Sequence, residues 1–531
     1  MASGDTPQRA WRAACPNCGA PVEFASAASP IAVCSFCRST LAREGEALRR
    51  IGESAELFDD HSPLQLGASG RWQGAAFTLV GRLQMRYAEG AWNEWHALFD
   101  NGDAAKSAWL SEDNGRYVMA FDAPAPQDAP RAEALRAGQS LVLDGRGWQV
   151  ASVTQARVAA AQGELPGAPN LKDEFTVVDL RNAQDEVATL DYSEPARVKW
   201  SVGRSAVLSE LALAGLRDAS EKAISARGVP CPSCGTAIEI KLATTKSIVC
   251  QQCHVVVDVS QGIGGDLAHY AQGNPHIDGG EPQLPLGATA TLALGTPAKP
   301  WQVLGYVERC EVAESPDDES VFWREYLLYN RNEGFAFLVD AEDGWSWTVP
   351  ITGAPQVAGD SARWHNDSYR KLYSYGGQIT YVLGEFYWQL ARGERTQNTD
   401  YAAGNKRLNR EEAGSEVTWS AGQTMDARTI ALAFKLPEGR GAALARDALP
   451  LSGGGSPLTK NLIIAVVVII ILVMMVKSCS RNRCDELRNT FGEASNEYLQ
   501  CLNSGSGGSS GIPRTGGGSY GGFGSGGGGH K

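Results

Sequence analysis

Apolar and polar residues alternate along much of the chain in short segments. From residue 77 to residue 87 every second residue is apolar. Polar residues, among them Thr78, Arg82 and Gln84, lie between these apolar residues. A period of two is typical of a half-buried β-strand. The run around Trp301, Val303 and Val307 repeats it in the second half. The pattern therefore predicts a mainly β protein.

More strands are predicted at 94–100, 117–121, 148–157 and 175–180 and at the matching positions further along, with Gly, Asn and Asp between them. Many short strands with Gly-rich turns are typical of a small β-barrel or sandwich. Gly81 and Gly305 fall on the apolar strand face, where a missing side chain predicts a bulge, a bend or a close backbone approach. Helices are expected at 204–226 and 484–502.

The chain is an internal duplication. Six short motifs recur in the same order, at an offset that drifts between 216 and 231 residues. The clearest are Trp92-Asn93-Glu94-Trp95 with Trp323-Arg324-Glu325-Tyr326, Gly163-Glu164 with Gly393-Glu394, and Val198–Gly203 with Val417–Gly422. Such order predicts two tandem units whose insertions fall in loops.

Each unit opens with four cysteines in the spacing C-x2-C-x15-C-x2-C. The ligand positions are Cys15, Cys18, Cys34 and Cys37 in the first unit and Cys231, Cys234, Cys250 and Cys253 in the second. Two C-x2-C turns complete a tetrahedron of thiolates around Zn²⁺, and four thiolates leave no open position for water. We therefore predict two structural zinc ribbons.

Other interpretations of these cysteines stay open. Iron suits the same four-thiolate geometry. A thioredoxin-like redox pair fits less well, because that motif is a single C-x-x-C within a βαβ unit. His254, next to Cys253, is expected at the surface, and Cys310 has no partner by spacing and is expected to be an ordinary buried thiol.

An apolar run from Leu462 to Val476 lies outside both repeats, between Lys460 and Lys477. Fifteen residues rise about 22 Å as a helix, and snorkelling lysines extend the apolar length toward a membrane thickness. We expect a transmembrane helix over 458–479. The residues from 503 to 531 are mostly Gly and Ser, a composition that predicts disorder.

Two arguments about orientation conflict. Basic residues after the span place the tail in the cytoplasm by the positive-inside rule. The absence of a signal peptide before a folded body, and thiolate sites that suit a reducing compartment, place the N-terminal body there instead. We give the second argument more weight and expect a cytoplasmic body, with Cys484 and Cys501 able to form a disulfide outside.

Charge makes nucleic-acid binding by the ribbons the least favoured of the candidate functions. The 531 residues carry 48 Lys and Arg against 60 Asp and Glu, a net charge of -12. Nucleic-acid-binding proteins usually show a basic footprint, so we expect no nucleic-acid partner. Nor does the sequence carry a P-loop, an H-E-x-x-H motif or a dinucleotide fingerprint.

Glu94 and Glu325 are the repeated polar residues with catalytic potential. Each follows a tryptophan by two positions on a predicted strand. A carboxylate among aromatic side chains can have a raised pKa and act as an acid or base. The competing interpretation is a structural glutamate hydrogen-bonded to the backbone or to an arginine such as Arg82.

The motifs W-x-E-[WY], G-E and V-x-W-S-x-G, in this order in both units, resemble the bacterial family known as domain of unknown function 4178. The resemblance covers about 400 residues, and the membrane segment and Gly-rich tail are also similar to those of some members. It implies a bacterial, membrane-associated protein, often encoded near polyamine-synthase-like and phage-shock-like genes, and it implies no catalytic residues.

The expected architecture is two tandem units of zinc ribbon and β-domain, then a membrane helix and a tail. The predicted bounds are 13–45 and 229–262 for the ribbons, 60–216 and 281–433 for the β-domains, 434–457 for a linker, 458–479 for the membrane helix, 484–502 for a short helix and 503–531 for the tail. We expect a non-enzymatic scaffold or sensor in the bacterial inner membrane, bound to a protein partner or to its own copies. The alternative is an enzyme that uses Glu94 and Glu325 on a polyamine or lipid-derived substrate.

Overall fold

The computed structural model describes residues 11–445. Within this range it leaves out 25–29, 45–46, 54–61, 89, 100–105, 114–115, 195–196, 218–227, 243–244, 261–266, 278–280, 296, 314–320, 331–332 and 392.

The first cysteine module covers residues 11–53 and is built from short antiparallel strands. They are β1 Trp11–Ala14, β2 Pro21–Phe24, β3 Ile31–Val33, β4 Ser39–Glu44 and β5 Ala47–Glu53. Strand β1 pairs with β2, and β3, β4 and β5 pair in order. A small apolar cluster centred on Phe24 and Leu41, both fully buried, lies between them.

The first barrel follows the module. Its strands are β6 Ser69–Trp72, β7 Ala75–Tyr87, β8 Gly90–Phe99, β9 Lys106–Asp113, β10 Arg116–Ala123, β11 Ser140–Leu143, β12 Arg146–Leu165, β13 Phe175–Arg181, β14 Glu186–Asp191 and β15 Lys199–Ala206. Eight of them close into an antiparallel ring, in the order β7, β8, β9, β10, β15, β14, β13, β12 and back to β7. Strand β6 forms a hairpin with β7, and strand β11 forms a hairpin with β12. Neither strand is one of the eight in the closed ring.

The second unit repeats this plan. The second cysteine module, residues 228–270, has strands β16 Gly228–Pro230, β17 Ala237–Glu239, β18 Ser247–Val249, β19 Val256–Asp258 and β20 His269–Tyr270. The second barrel has β21 Thr289–Leu292, β22 Lys299–Val312, β23 Phe322–Asn330, β24 Gly334–Ala341, β25 Gly344–Ile351, β26 Gln356–Ala358, β27 Ser361–Trp364, β28 Asp367–Phe386, β29 Arg395–Ala403, β30 Lys406–Ala413 and β31 Glu416–Met425. Helices α1 Ala427–Ala433 and α2 Glu438–Ala443 follow.

The second ring closes in the same order as the first: β22, β23, β24, β25, β31, β30, β29, β28 and back to β22. Two contacts identify its inner face. Arg309 on β22 reaches Glu411 on β30, two strands beyond its neighbour β28. The ring of Trp323 on β23 meets that of Tyr375 on β28 across β22. The outer face is covered in part by α1 and α2, through Ile430 and Leu444.

A facing pair of glycines lets two long strands cross closely in each barrel. Gly81 on β7 faces Gly163 on β12, and Gly305 on β22 faces Gly384 on β28. A Cβ on Gly81 would lie 1.8 Å from the carbonyl oxygen of Glu164, and both β7 and β22 have an irregular register at their glycine. The predicted bulge and close approach at Gly81 and Gly305 are confirmed.

Beyond this crossing, each long strand continues into its cysteine module. Residues Gly163–Leu165 of β12 pair with β3, and Glu385 and Phe386 of β28 pair with β18. Each module is therefore attached to its own barrel by strand pairing as well as by the chain.

The two units also contact each other. Trp419 Nε1 donates to Gln149 Oε1 at 2.9 Å, and the Val153 N–H donates to the Ser415 carbonyl at 3.1 Å. Lys246 of the second module is buried against the first barrel, where its Nζ donates to Tyr87 Oη at 3.2 Å.

The mainly β fold and its repeated units are confirmed, but three segments differ from expectation. The described part of 204–226 is not helical: Arg204–Ala206 ends β15, and turns follow to residue 217. Its apolar side chains cover the first barrel instead, with Leu211 fully buried. The Pro/Ala-rich composition of 123–130 predicts a loose linker, but Ala125 and Ala129 pack on the core around Trp148. Helix α2 and the fully buried Leu444 likewise make the start of 434–457 part of the fold.

Several expectations fall outside the described residues. These are the membrane helix over 458–479, the short helix over 484–502 and the tail over 503–531. Within the part of the chain that the structure describes, every helix is too short or too polar to cross a membrane.

Candidate metal centres

The C-x2-C turns of both modules share one backbone design. In the first module the N–H of Gly19 donates to the Cys15 carbonyl at 2.8 Å, with Gly19 at a φ of 76°. Gly235 repeats this conformation after Cys231, with the same φ of 76°. A positive φ is the conformation that glycine adopts without strain, so these turns explain the Cys-Pro-x-Cys-Gly sequence.

The second turn of each module has a non-glycine residue at the same place. Arg38 has a φ of 59° and donates its N–H to Cys34, and His254 has a φ of 57° and donates to Cys250. His254 is therefore a turn residue. Its Nδ1 lies 3.4 Å from Tyr381 Oη, so the ring contacts the second barrel.

These turns bring the four sulfur atoms of each module together. In the first module Cys15 Sγ lies 3.6 Å from Cys37 Sγ, and Cys18 Sγ lies 3.8 Å from Cys34 Sγ. The matching distances in the second module are 3.6 Å and 3.7 Å, and all ligand atoms of a module lie within 4.8 Å of one another. A tetrahedral Zn²⁺ with Zn–S bonds of about 2.3 Å needs sulfur atoms about 3.8 Å apart. Both clusters fit a four-thiolate metal ion.

Hydrogen bonds favour the thiolate form of one ligand in each module. The hydrogen bond with Ser39 is the main cause that lowers the pKa of Cys37 to about 5. The hydrogen bond with Thr236 does the same for Cys234 and lowers its pKa to about 6. These hydrogen bonds favour the thiolate, which is the form of cysteine that binds metal, at Cys37 and Cys234.

Cys310 takes no part in either cluster. It lies on β22 with an intermediate exposure, and burial raises the pKa of its thiol. Cys310 is therefore half-buried and not fully buried as expected.

The structure does not bring Glu94 and Glu325 together, because each lies in its own barrel. Trp92 Nε1 donates to Glu94 at 3.0 Å, and Trp323 Nε1 donates to Glu325 at 2.8 Å, so the repeated W-x-E motif is a hydrogen bond within one strand. Ser111 Oγ also donates to Glu94, at 2.5 Å.

The two glutamates otherwise differ. Glu325 is fully buried, and its Oε2 lies 3.2 Å from Nε of the equally buried Arg309. Arg82, the partner expected for Glu94, instead donates to Asn93 at 2.8 Å. The structure therefore favours two structural glutamates over one catalytic pair.

The repeat of Gly163-Glu164 is Gly384-Glu385, and the alignment with Gly393-Glu394 was wrong. Glu164 and Glu385 follow the crossing glycine of β12 and β28 and pair with their cysteine modules. Glu385 Oε1 accepts hydrogen bonds from the Lys241 N–H at 2.6 Å and from Thr245 Oγ1 at 3.2 Å. Glu394 accepts a long bond of 3.4 Å from the Ala391 N–H in an exposed turn.

Sequence reasoning missed a buried acid that both barrels share. Asp179 and Asp400 are fully buried at matching positions of β13 and β29. Thr189 Oγ1 donates to Asp179 at 3.1 Å, and Asn409 Nδ2 donates to Asp400 at 2.7 Å. Burial raises the pKa of Asp400 well above its usual range. In β13 the signal was an acidic residue within an otherwise mostly apolar strand, whereas the mostly polar β29 gives no such signal.

Comparison with family models identifies the class of domain that these barrels represent. The model described as Domain of unknown function (DUF4178) matches residues 65–206 and 295–427, which are the two barrels and together just over half of the chain. The chain therefore belongs to this family and carries two copies of its domain. No curated protein and no solved structure matches the chain.

Proposed function

We propose that this chain is a membrane-anchored, zinc-binding scaffold or sensor without enzymatic activity, which presents two linked binding units to a protein partner at the bacterial inner membrane. The observation that carries the proposal is the docking of each four-thiolate cluster onto its own barrel through a shared strand. We expect a structural metal ion in a module that pairs with a barrel strand to stabilise the protein surface around that module. Two such surfaces in one chain raise the effective concentration for a dimeric or repetitive partner.

Three points support the separate parts of the proposal. The sulfur spacing suits Zn²⁺ in both clusters. Glu94 and Glu325 are bound within separate barrels, which speaks against a paired-glutamate enzyme. The apolar run from Leu462 to Val476 supplies the anchor in this proposal.

Metal analysis tests the zinc sites. We expect two zinc ions per chain in protein purified without added metal, and one in a Cys15→Ser, Cys18→Ser double variant. A Cys310→Ser variant is the matched control and should keep both ions. Iron in the purified protein, or zinc that survives the double variant in full, would contradict this part.

Fractionation tests the anchor, and crosslinking tests the scaffold. Deletion of 462–476 should move the protein from the membrane to the soluble fraction. Crosslinking of the intact protein in its native membrane, followed by nuclease treatment and purification, should recover a reproducible protein partner. A chain that is recovered alone, together with loss of phenotype in Glu94→Gln and Glu325→Gln variants that still fold, would favour the enzyme.

Labelling tests the orientation. With a cytoplasmic body, an impermeant maleimide added to intact cells should leave Cys310 unmodified and, after reduction of any disulfide between them, should react with Cys484 and Cys501. Modification of Cys310 in intact cells would place the body outside.

A further inference from the structure

The inner faces of the two barrels have diverged in chemistry. Positions that match by strand register are apolar in the first barrel and polar in the second. The first barrel has Met85, Val118, Phe175 and Val177 where the second has Arg309, Ser346, Thr396 and Asn398. At these four positions apolar side chains are therefore sufficient to hold the fold, and their polar counterparts in the second barrel need another explanation.

Arg309 is the centre of this polar inner face, and its hydrogen bonding is incomplete. Its side chain is fully buried between Glu325 and Glu411. Nη1 donates to Thr396 Oγ1 and to Glu411 Oε2 at 3.5 Å each, the long limit of a hydrogen bond. Nη2 has no partner among the described residues.

Four more polar atoms of this face are buried without a hydrogen-bond partner in the described part of the chain. They are Ser346 Oγ, Asn398 Oδ1, Asn409 Oδ1 and Ser420 Oγ. Their residues are at most 2% exposed. Each such atom in a dry interior destabilises the fold, and native proteins pair nearly all of them with protein, water or a ligand.

The strand register places the atoms of Asn398, Asn409 and Ser420 on neighbouring strands, and Ser346 faces Thr424, four positions from Ser420 along β31. Asp400 faces Asn409, and Asn409 faces Ser420, on three consecutive strands. Asn398 faces Glu411, which binds Arg309. An eight-stranded ring has an interior that is either filled by side chains or wide enough for one small ligand.

We infer that the inner face of the second barrel, formed by Arg309, Ser346, Asn398, Asn409 and Ser420, binds a small uncharged polyhydroxyl compound. Arg309 Nη2 needs an acceptor, the two asparagine oxygens need donors, and the serines can use either. A hydroxyl group supplies both roles in one atom. The carboxylates Glu325 and Glu411 already outnumber the single guanidinium of Arg309, so an anion is disfavoured. This inference is independent of the metal sites and of the membrane anchor.

Glycerol, the smallest polyhydroxyl probe, tests the inference on the full chain in a detergent that lacks a sugar headgroup. Ligand-observed NMR should show saturable binding, and Ser346→Ala and Ser420→Ala should each weaken it about tenfold, the loss of one good hydrogen bond. Thr40→Val is the matched control, because the Thr40 hydroxyl is also buried and unpaired but lies in the first cysteine module. It should bind glycerol as the wild type does.

Thermal unfolding without glycerol separates the remaining outcomes. If the two serine variants melt at a lower temperature than the wild type but no saturable binding is seen, water alone occupies the face and the ligand proposal is wrong. If both variants melt at a higher temperature, as Thr40→Val should, the interior is dry and the proposal is also wrong. Binding that the serine variants leave unchanged lies elsewhere on the protein and equally overturns it.

Discussion

Glu385 fixes Lys241: its Oε1 accepts the Lys241 backbone N–H at 2.6 Å, and so ties the second cysteine module to a strand of the second barrel. The same oxygen lies within hydrogen-bond distance of the Leu242 N–H and of Thr245 Oγ1. One buried carboxylate thus accepts hydrogen bonds from three donors of the module that would otherwise bind water.

Glu385→Ala should therefore loosen the second module while the first stays intact. We expect a loss of about 2 kcal/mol in the free energy of unfolding, from donors left buried without a partner, and faster hydrogen exchange at the Lys241 and Leu242 amides. Glu239→Ala is the matched control, since Glu239 is an exposed glutamate on β17 of the same module. Equal losses of unfolding free energy in the two variants would show that Glu385 does not hold the second module to its barrel.

The crossing glycines give a second prediction. Gly81→Ala should destabilise the first barrel by about 3 kcal/mol, because its Cβ meets the Glu164 backbone and neither strand can shift cheaply. Gly147→Ala, at the opposite end of β12 from the crossing, has open space around its Cβ and a permitted φ, so it should be neutral or slightly stabilising. Denaturant unfolding of both variants measures the difference, and comparable stabilities would refute the close crossing.

The two W-x-E glutamates should respond differently to the same change. Glu325→Gln leaves the buried guanidinium of Arg309 with a poorer partner, and we expect a loss of about 3 kcal/mol. Glu94→Gln replaces a carboxylate whose donors include the neutral Trp92 and Ser111, so a loss of about 1 kcal/mol is expected. The comparison uses equilibrium unfolding at neutral pH, and a larger effect at Glu94 would contradict it.

Stability should also depend on pH through Asp343, in the turn between β24 and β25. Burial raises the pKa of Asp343 to about 6, against about 3.9 in the unfolded chain. A raised carboxyl pKa favours the folded state at low pH, and this contribution is lost as pH rises from about 4 to about 6.

The Asp343→Asn variant has no carboxyl group at this position, so it does not lose stability as pH rises from about 4 to about 6. The variant should be more stable than the wild type by about 2 kcal/mol at pH 7, and the two should converge below pH 4. Unfolding curves across this range measure it, and a constant difference at all pH values would rule out titration of Asp343 as the cause.

Sequence patterns identified the local features of this fold and missed those that depend on distant strands. The period of two at β7, the glycines at 81 and 305 and the cysteine spacing are local, and each is present as expected. The counterpart of Glu164 was misidentified because Gly393-Glu394 matches in letters, whereas strand register selects Gly384-Glu385. Arg309 and Glu411 are 102 residues apart in the sequence, so no local sequence pattern predicts that they pair.

The contact of Lys246 with Tyr87 also has a consequence for biosynthesis. Tyr87 leaves the ribosome 159 residues before its partner. At roughly 5–20 residues per second, the interval is on the order of 10–30 s. During that time the Tyr87 end of β7 has no second module to cover it, so this hairpin is one place where a nascent first unit is open to a chaperone or to a wrong neighbour.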